Sequence, residues 1–136
     1  MDYEALRREL TRDEKRCKRP YRCTAGKLTV GVGWNLEDQD LPEKVIDLLL
    51  DISIERAERD ALSLFPNLYT LSDARQRALT NMALNLGATR LGGFRQLRAA
   101  VAEEDFAGAA REMLDSKWSS QVGLRAQRLA RMMEDG

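Results

Sequence analysis

The chain of 136 residues has no histidine and only two cysteines, Cys17 and Cys23. That is too few ligands for a Cys/His zinc site. It also has no apolar run approaching the ~20 residues that a membrane-spanning helix needs. Its opening, Met1-Asp2-Tyr3-Glu4, alternates charges at once, so no signal peptide is expected and synthesis in the cytoplasm is. Net charge is missing as well. Twenty-two basic side chains cancel 22 acidic ones, and nothing global argues for nucleic acid or an anionic surface as partner. Neither an internal repeat nor a low-complexity tract is present.

What remains is a composition suited to a folded enzyme-sized domain. Hydrophobic residues make up 43%, enough for a core, and charged residues at 32% give a solvated surface. The length suits one compact domain, or two small lobes sharing a long element. Charge is uneven locally. From Arg12 to Lys27 there are seven basic residues against only Asp13 and Glu14. Such a cluster can hold a polyanion or form a solvated rim, and the rim is the commoner case.

Hydrophobic periodicity places most of the chain on helices. Tyr3, Leu6 and Leu10 share one face of a helix from Asp2 to about Lys15. Pro20 blocks its continuation and biases Arg19 towards extended backbone. Thr24-Ala25-Gly26-Lys27 then reads as a turn, with Tyr21 to Thr24 expected to pair against Leu28 to Val32. Pro42 suits the start of a helix reaching Phe65, striped by Val45, Leu48, Leu49, Ile52, Ile54, Ala57, Ala61 and Leu62. Pro66-Asn67 ends it. The next helix begins near Ser72 or Asp73, with Gln76 placed for a capping box, and stops at Gly87. Three shorter helices are expected over about Phe94–Ala102, Phe106–Leu114 and Gly123–Met133. The fold class is α+β, mainly α. A small hairpin lobe (about 14–40), a connecting helix (about 42–65) and a larger helical lobe (1–13 and 66–136) together form one domain.

Two lobes make a cleft, and three polar residues suit it. Glu14 ends the first helix, Cys23 lies late in the first strand and Thr29 early in the second. A hairpin brings Cys23 and Thr29 together and the entering helix delivers Glu14 beside them. A carboxylic acid, a thiol and a hydroxyl can protonate a leaving group and hold a water. Each has a plainer reading too, since a terminal Glu is commonly solvated and Thr is a good strand former.

The pattern Glu14, eight residues, Cys23, five residues, Thr29, then Val30-Gly31-Val32-Gly33, resembles the catalytic signature of the phage-type lysozymes, endolysins of glycoside hydrolase family 24. Gln76-Arg77-Ala78-Leu79-Thr80-Asn81-Met82-Ala83-Leu84-Asn85-Leu86-Gly87, followed by Gly92-Gly93-Phe94, looks like that family's central buried helix and its exit. Ser116 to Gln121 and Arg125 to Leu129 look like its C-terminal cleft wall, so the resemblance runs from about Tyr3 to Met133. It implies a lysozyme-like bilobed fold and a muramidase, probed by cleavage of the β-1,4 bond between N-acetylmuramic acid and N-acetylglucosamine. Glu14 becomes the general acid, while Cys23 and Thr29 orient a water on the opposite face of the sugar, inverting the anomeric centre. Asn35, Leu84, Asn85, Trp118 and Arg125 become substrate-contact candidates, with core packing the competing reading for Leu84 and Trp118. Arg125 is expected to pair with Glu14 or Asp13. The resemblance further implies no cofactor and no metal, and peptidoglycan strands as partner. The protein would be a monomer held in the bacterial cytoplasm until a holin releases it to the wall, without stable membrane association.

Three departures from the family pattern stand out. Position 23 is usually Asp and here Cys, whose free thiol has a pKa of ~8.5 against ~3.9 for Asp. Arg22, Lys18, Arg19 and Lys27 are placed to lower it. Trp34 replaces a common histidine and is expected to expose an aromatic near the cleft mouth. Cys17 and Cys23, ~20 Å apart along an extended strand, exceed the ~7 Å limit for a disulfide and are not expected to pair. Three other functions compete: a lytic transglycosylase, a non-catalytic wall-binding component with this fold, and a nucleic-acid binder using Arg125, Arg128 and Arg131.

Overall fold

The computed structural model describes residues 1–136. Its elements run α1 (Tyr3–Glu14), β1 (Cys17–Arg22), β2 (Leu28–Gly31), β3 (Trp34–Asn35), α2 (Glu43–Leu64), a 3-10 turn (Leu68–Thr70), α3 (Asp73–Leu86), α4 (Ala88–Gly92), α5 (Arg95–Ala102), α6 (Phe106–Leu114), α7 (Lys117–Val122) and α8 (Leu124–Asp135). The expected α+β class, mainly α with a small antiparallel sheet, is what the chain adopts. It divides into two compact units, Met1–Asp47 and Leu48–Gly136.

In the first unit Asp2 caps α1, its side chain accepting from the Ala5 N–H at 2.9 Å. The helix ends at Lys15, whose φ of 63° and ψ of 159° lie in a region almost reserved for glycine. The sheet has the order β1-β2-β3, antiparallel throughout. Its first strand starts at Cys17 rather than Tyr21, with the register slipping between Cys17 and Tyr21, where Pro20 has no N–H for the ladder. The third strand is only two residues long, too short for any alternation to announce it. Gly26, at φ 77°, makes the tight turn between β1 and β2.

Pro42 precedes α2, and its carbonyl accepts from the N–H groups of Val45 (2.9 Å) and Ile46 (3.2 Å). The apolar stripe along this helix is buried only at its far end. Ala57 and Ala61 are buried, as is Phe65 just beyond, while Leu48, Leu49, Ile52 and Ile54 are exposed.

In the second unit α3 is the axis. Ala78, Leu79 and Met82 are fully enclosed, and Leu91, Leu97, Val101, Ala109, Met113 and Met133 join them in one cluster. The expected capping box at α3 does not form. Ser72 is the cap, accepting from the Arg75 N–H at 3.3 Å, and Gln76 Nε2 instead donates to the Leu71 carbonyl at 2.8 Å. The three later helices appear as expected, but α4, α7 and the 3-10 turn were too short for a helical period to show.

Arg75 closes this unit. Its Nε donates to the Met133 carbonyl at 2.8 Å and its Nη2 to the Glu134 carbonyl at 3.1 Å, while the guanidinium lies 3.5 Å above the Phe106 ring. A cation at a helix C-terminus satisfies orphan carbonyls and opposes the negative end of the dipole. Arg75→Met should therefore lower unfolding free energy by about 1.5–3 kcal/mol in urea denaturation. An unchanged midpoint would show the clamp to be dispensable.

Candidate active site

The hairpin positions Cys23 and Thr29. The Cys23 N–H donates to the Lys27 carbonyl at 3.0 Å and the Gly26 N–H to the Cys23 carbonyl at 2.8 Å, which fixes the turn beside the thiol. Thr29 is the one fully buried polar side chain of the protein, and its hydroxyl donates to the Lys27 carbonyl at 2.9 Å. A hydroxyl has a single proton, so this bond leaves the Thr29 oxygen free to accept from another molecule.

Glu14 enters from the end of α1. A Cβ placed on Gly33 would lie 2.9 Å from Glu14 Oε2 and 3.2 Å from its carboxyl carbon. Gly33 also has φ 70°. That φ favours glycine, and a side chain at position 33 would have to displace the Glu14 carboxyl. Within its own unit Glu14 has no cation partner; Asp13 accepts from Arg12 Nε at 2.9 Å.

The electrostatics single out the thiol. The Cys23 pKa is lowered, chiefly by hydrogen bonding from the backbone at Lys27 and then at Ala25. Partial desolvation opposes them, while the Thr29 hydroxyl and Cys23's own amide add to the lowering. Thr29 cannot donate to both the Lys27 carbonyl and the sulfur at once, so its share of the shift is secondary to that of the amides. The expected helpers were the flanking cations, yet backbone N–H groups do the work. Arg22 pairs with Glu37, and Lys27 with Asp38 at 3.2 Å. Cys17 and Cys23 are both free thiols.

Tyr21 is a neighbour that the spacing argument missed. It stands directly across from Thr29 in the ladder, and it precedes Cys23 by the two residues that put side chains on one face. Its pKa is raised by desolvation and then by the negative charge of Cys17, Glu14 and Cys23 nearby, so its phenol remains a neutral donor. The alternation Tyr21, Cys23 was the available signal. Trp34, expected to be exposed, is half-buried opposite Val30, and its indole N–H is enclosed without an acceptor. Burial of an unpaired donor costs about 1–3 kcal/mol.

The substrate-contact candidates have mixed placements. Asn35 Oδ1 accepts from the N–H groups of Glu37 (2.9 Å) and Asp38 (3.0 Å), and its Nδ2 donates to Asp38 Oδ2 at 2.8 Å, so its amide shapes a turn. In the second unit, Trp118 is 2% exposed and its indole donates to Asn85 Oδ1 at 2.7 Å. That is core packing with one polar tether. Leu84, 45% exposed, lines a groove of about 680 Å³ together with Asn81, Arg125, Arg128 and Met132. Arg125 grips Asn81, with Nε at 2.9 Å and Nη2 at 2.6 Å from Asn81 Oδ1. Asn81 was not foreseen, because a pairing over 44 positions leaves no local trace.

A carboxyl group at a helix end thus lies against a glycine beside a hairpin that holds a buried hydroxyl and a thiol of lowered pKa. The phage lysozyme family matches residues 11–134, and the chain belongs to that family. A search of curated proteins found no match. Family membership makes the protein a peptidoglycan-hydrolysing enzyme of the lysozyme class. No helix is long and apolar enough to cross a membrane.

The strained Lys15 follows Glu14 directly and supplies a test of how rigidly the carboxyl is held. Lys15→Gly should relieve about 1 kcal/mol of backbone strain and raise the melting temperature. It should also lower kcat, because glycine loosens the turn that sets Glu14. A destabilised variant would mean that the turn carries no strain.

Proposed function

We propose that the enzyme is an inverting muramidase cleaving the β-1,4 bond from N-acetylmuramic acid to N-acetylglucosamine, with Glu14 as general acid. The observation that carries this reading is the convergence of Glu14 on Gly33 of the hairpin that presents Cys23 and Thr29. Glu14 gives its proton to the glycosidic oxygen as the bond to the anomeric carbon breaks. A water on the opposite face attacks that carbon. Thr29, its own proton committed to Lys27, accepts from this water, and the Cys23 thiolate takes the proton that the water releases. Tyr21 remains a neutral donor beside them throughout.

Residues 1–136 make up one lysozyme-like domain in this reading. Asn35, Leu84, Asn85, Trp118 and Arg125 remain its candidate substrate contacts, Leu84 and Arg125 on the groove of the second unit. We place the enzyme's action at the wall after release by a holin, as a monomer needing no cofactor.

Purified protein incubated with peptidoglycan should produce new reducing muramic ends, and Glu14→Gln should not. Anhydro ends would make it a transglycosylase; no cleavage under reducing conditions would end the catalytic reading.

The role of Cys23 predicts a pH dependence. A lowered thiol pKa means the thiolate, and with it activity, appears as pH rises through a value below that of an unperturbed thiol. Cys23→Asp, with a carboxyl pKa near ~3.9, should keep activity and move that rising limb to lower pH. Cys23→Ala should lose about 10²–10⁴-fold in kcat. A fully active Cys23→Ala enzyme would remove the thiol from the mechanism.

A further inference from the structure

The outer flank of α1 carries a feature that glycan cleavage leaves unexplained. An open groove of about 410 Å³ is lined by five residues only: Arg7, Arg8, Thr11, Arg12 and Arg16. Four arginines and one threonine line it, and no acidic residue does. The chain as a whole has zero net charge, so this concentration is local and not a by-product of a basic protein.

Simpler explanations cover part of it. Cations in the last turn of a helix oppose its dipole, which accounts for Arg12. Arg7 and Arg8 lie in the middle of α1 and gain nothing from that. Lys18, Arg19 and Pro20 lie on the edge strand β1, where charge and proline deter strand-to-strand association. None of those three lines the groove. Exposed contacts engage two of the four arginines: Arg7 lies 3.9 Å from Glu4, and Arg12 lies 2.9 Å from Asp13. Arg8 and Arg16 have no carboxylate partner. Gathering unpaired like charges costs stability through repulsion, and the strained turn at Lys15 leads directly into the residue that completes the row.

From this groove we infer a second binding site, for a linear polyanion of phosphate groups. Guanidinium forks match phosphate oxygens bidentately, and a hydroxyl adds a neutral donor. Arg7 to Arg12 spans about 7.5 Å at ~1.5 Å per residue, and Arg16 continues the row beyond the helix end, so the groove is longer than one phosphate. That length favours a chain of phosphates over a single headgroup. The site does not depend on the muramidase reading, and its test uses no cleavage.

The measurement is calorimetric titration of the full-length protein with linear inorganic polyphosphate at about 0.15 M salt. Polyglutamate serves as the carboxylate control and phosphatidylglycerol vesicles as the lipid arm. Polyphosphate should bind more tightly than polyglutamate. The double variant Arg8→Gln/Arg16→Gln should weaken it about tenfold or more and flatten its salt dependence. Lys18→Gln/Arg19→Gln, which removes the same charge from the edge strand, should leave binding near wild type. The Arg8→Gln/Arg16→Gln protein should melt no lower than wild type, which separates loss of ligand from loss of fold. The inference is overturned if polyglutamate binds equally, if both double variants weaken binding alike, if only vesicles bind, or if nothing binds.

Discussion

The site depends on one close approach: the Glu14 carboxyl lies where a side chain on Gly33 would have to be. That contact couples the end of a helix to the far side of a hairpin without a hydrogen bond or an ion pair. It rests on α1 stopping at Glu14, on the chain reversing at Lys15, and on a glycine in the turn between β2 and β3. An ion pair in place of this contact would hold the carboxyl charged. Packing against a glycine positions the carboxyl without tying it to a cation.

The two units divide the work between packing and chemistry. Every buried apolar side chain belongs to the second unit, whose helices wrap α3 and are clamped by Arg75. The first unit has Thr29 as its single buried residue and is otherwise tied by ladder hydrogen bonds and exposed ion pairs such as Lys27–Asp38. Exposed pairs contribute about 0–1 kcal/mol each. A segment with so few enclosed contacts opens locally at low cost, and functional loops are drawn from such regions. Cys23 and Thr29 thus lie in a unit with little apolar burial, where the backbone of a tight turn supplies local order.

How much of this could be read from the residues follows physical range. Local chemistry was legible. The start of α1 near Asp2, the start of α3 near Ser72, Gly26 in the turn and Pro42 before α2 all follow from signals within a few positions of themselves. What was illegible acts at a distance or over too few residues. Asn81 meets Arg125 and Asn85 meets Trp118 across 44 and 33 positions, and no periodicity encodes either meeting. The strand Trp34–Asn35 offers two residues, too few for alternation to show. Tyr21 is the instructive miss: it was read as a strand former, although the period of two that defines a strand also places it on the face of Cys23.

The turn that carries Cys23 accounts for the lowered pKa of its thiol. The anion at position 23 is stabilised first by backbone N–H groups of the turn, which are fixed by Gly26 and by the Cys23–Lys27 bond and are indifferent to the side chain they serve. A carboxylate would have little need of them, being ionised at neutral pH in water. A thiol does need them, because only a lowered pKa gives it a useful anionic fraction there. Charge stabilisation at position 23 therefore resides in the geometry of the turn rather than in flanking cations.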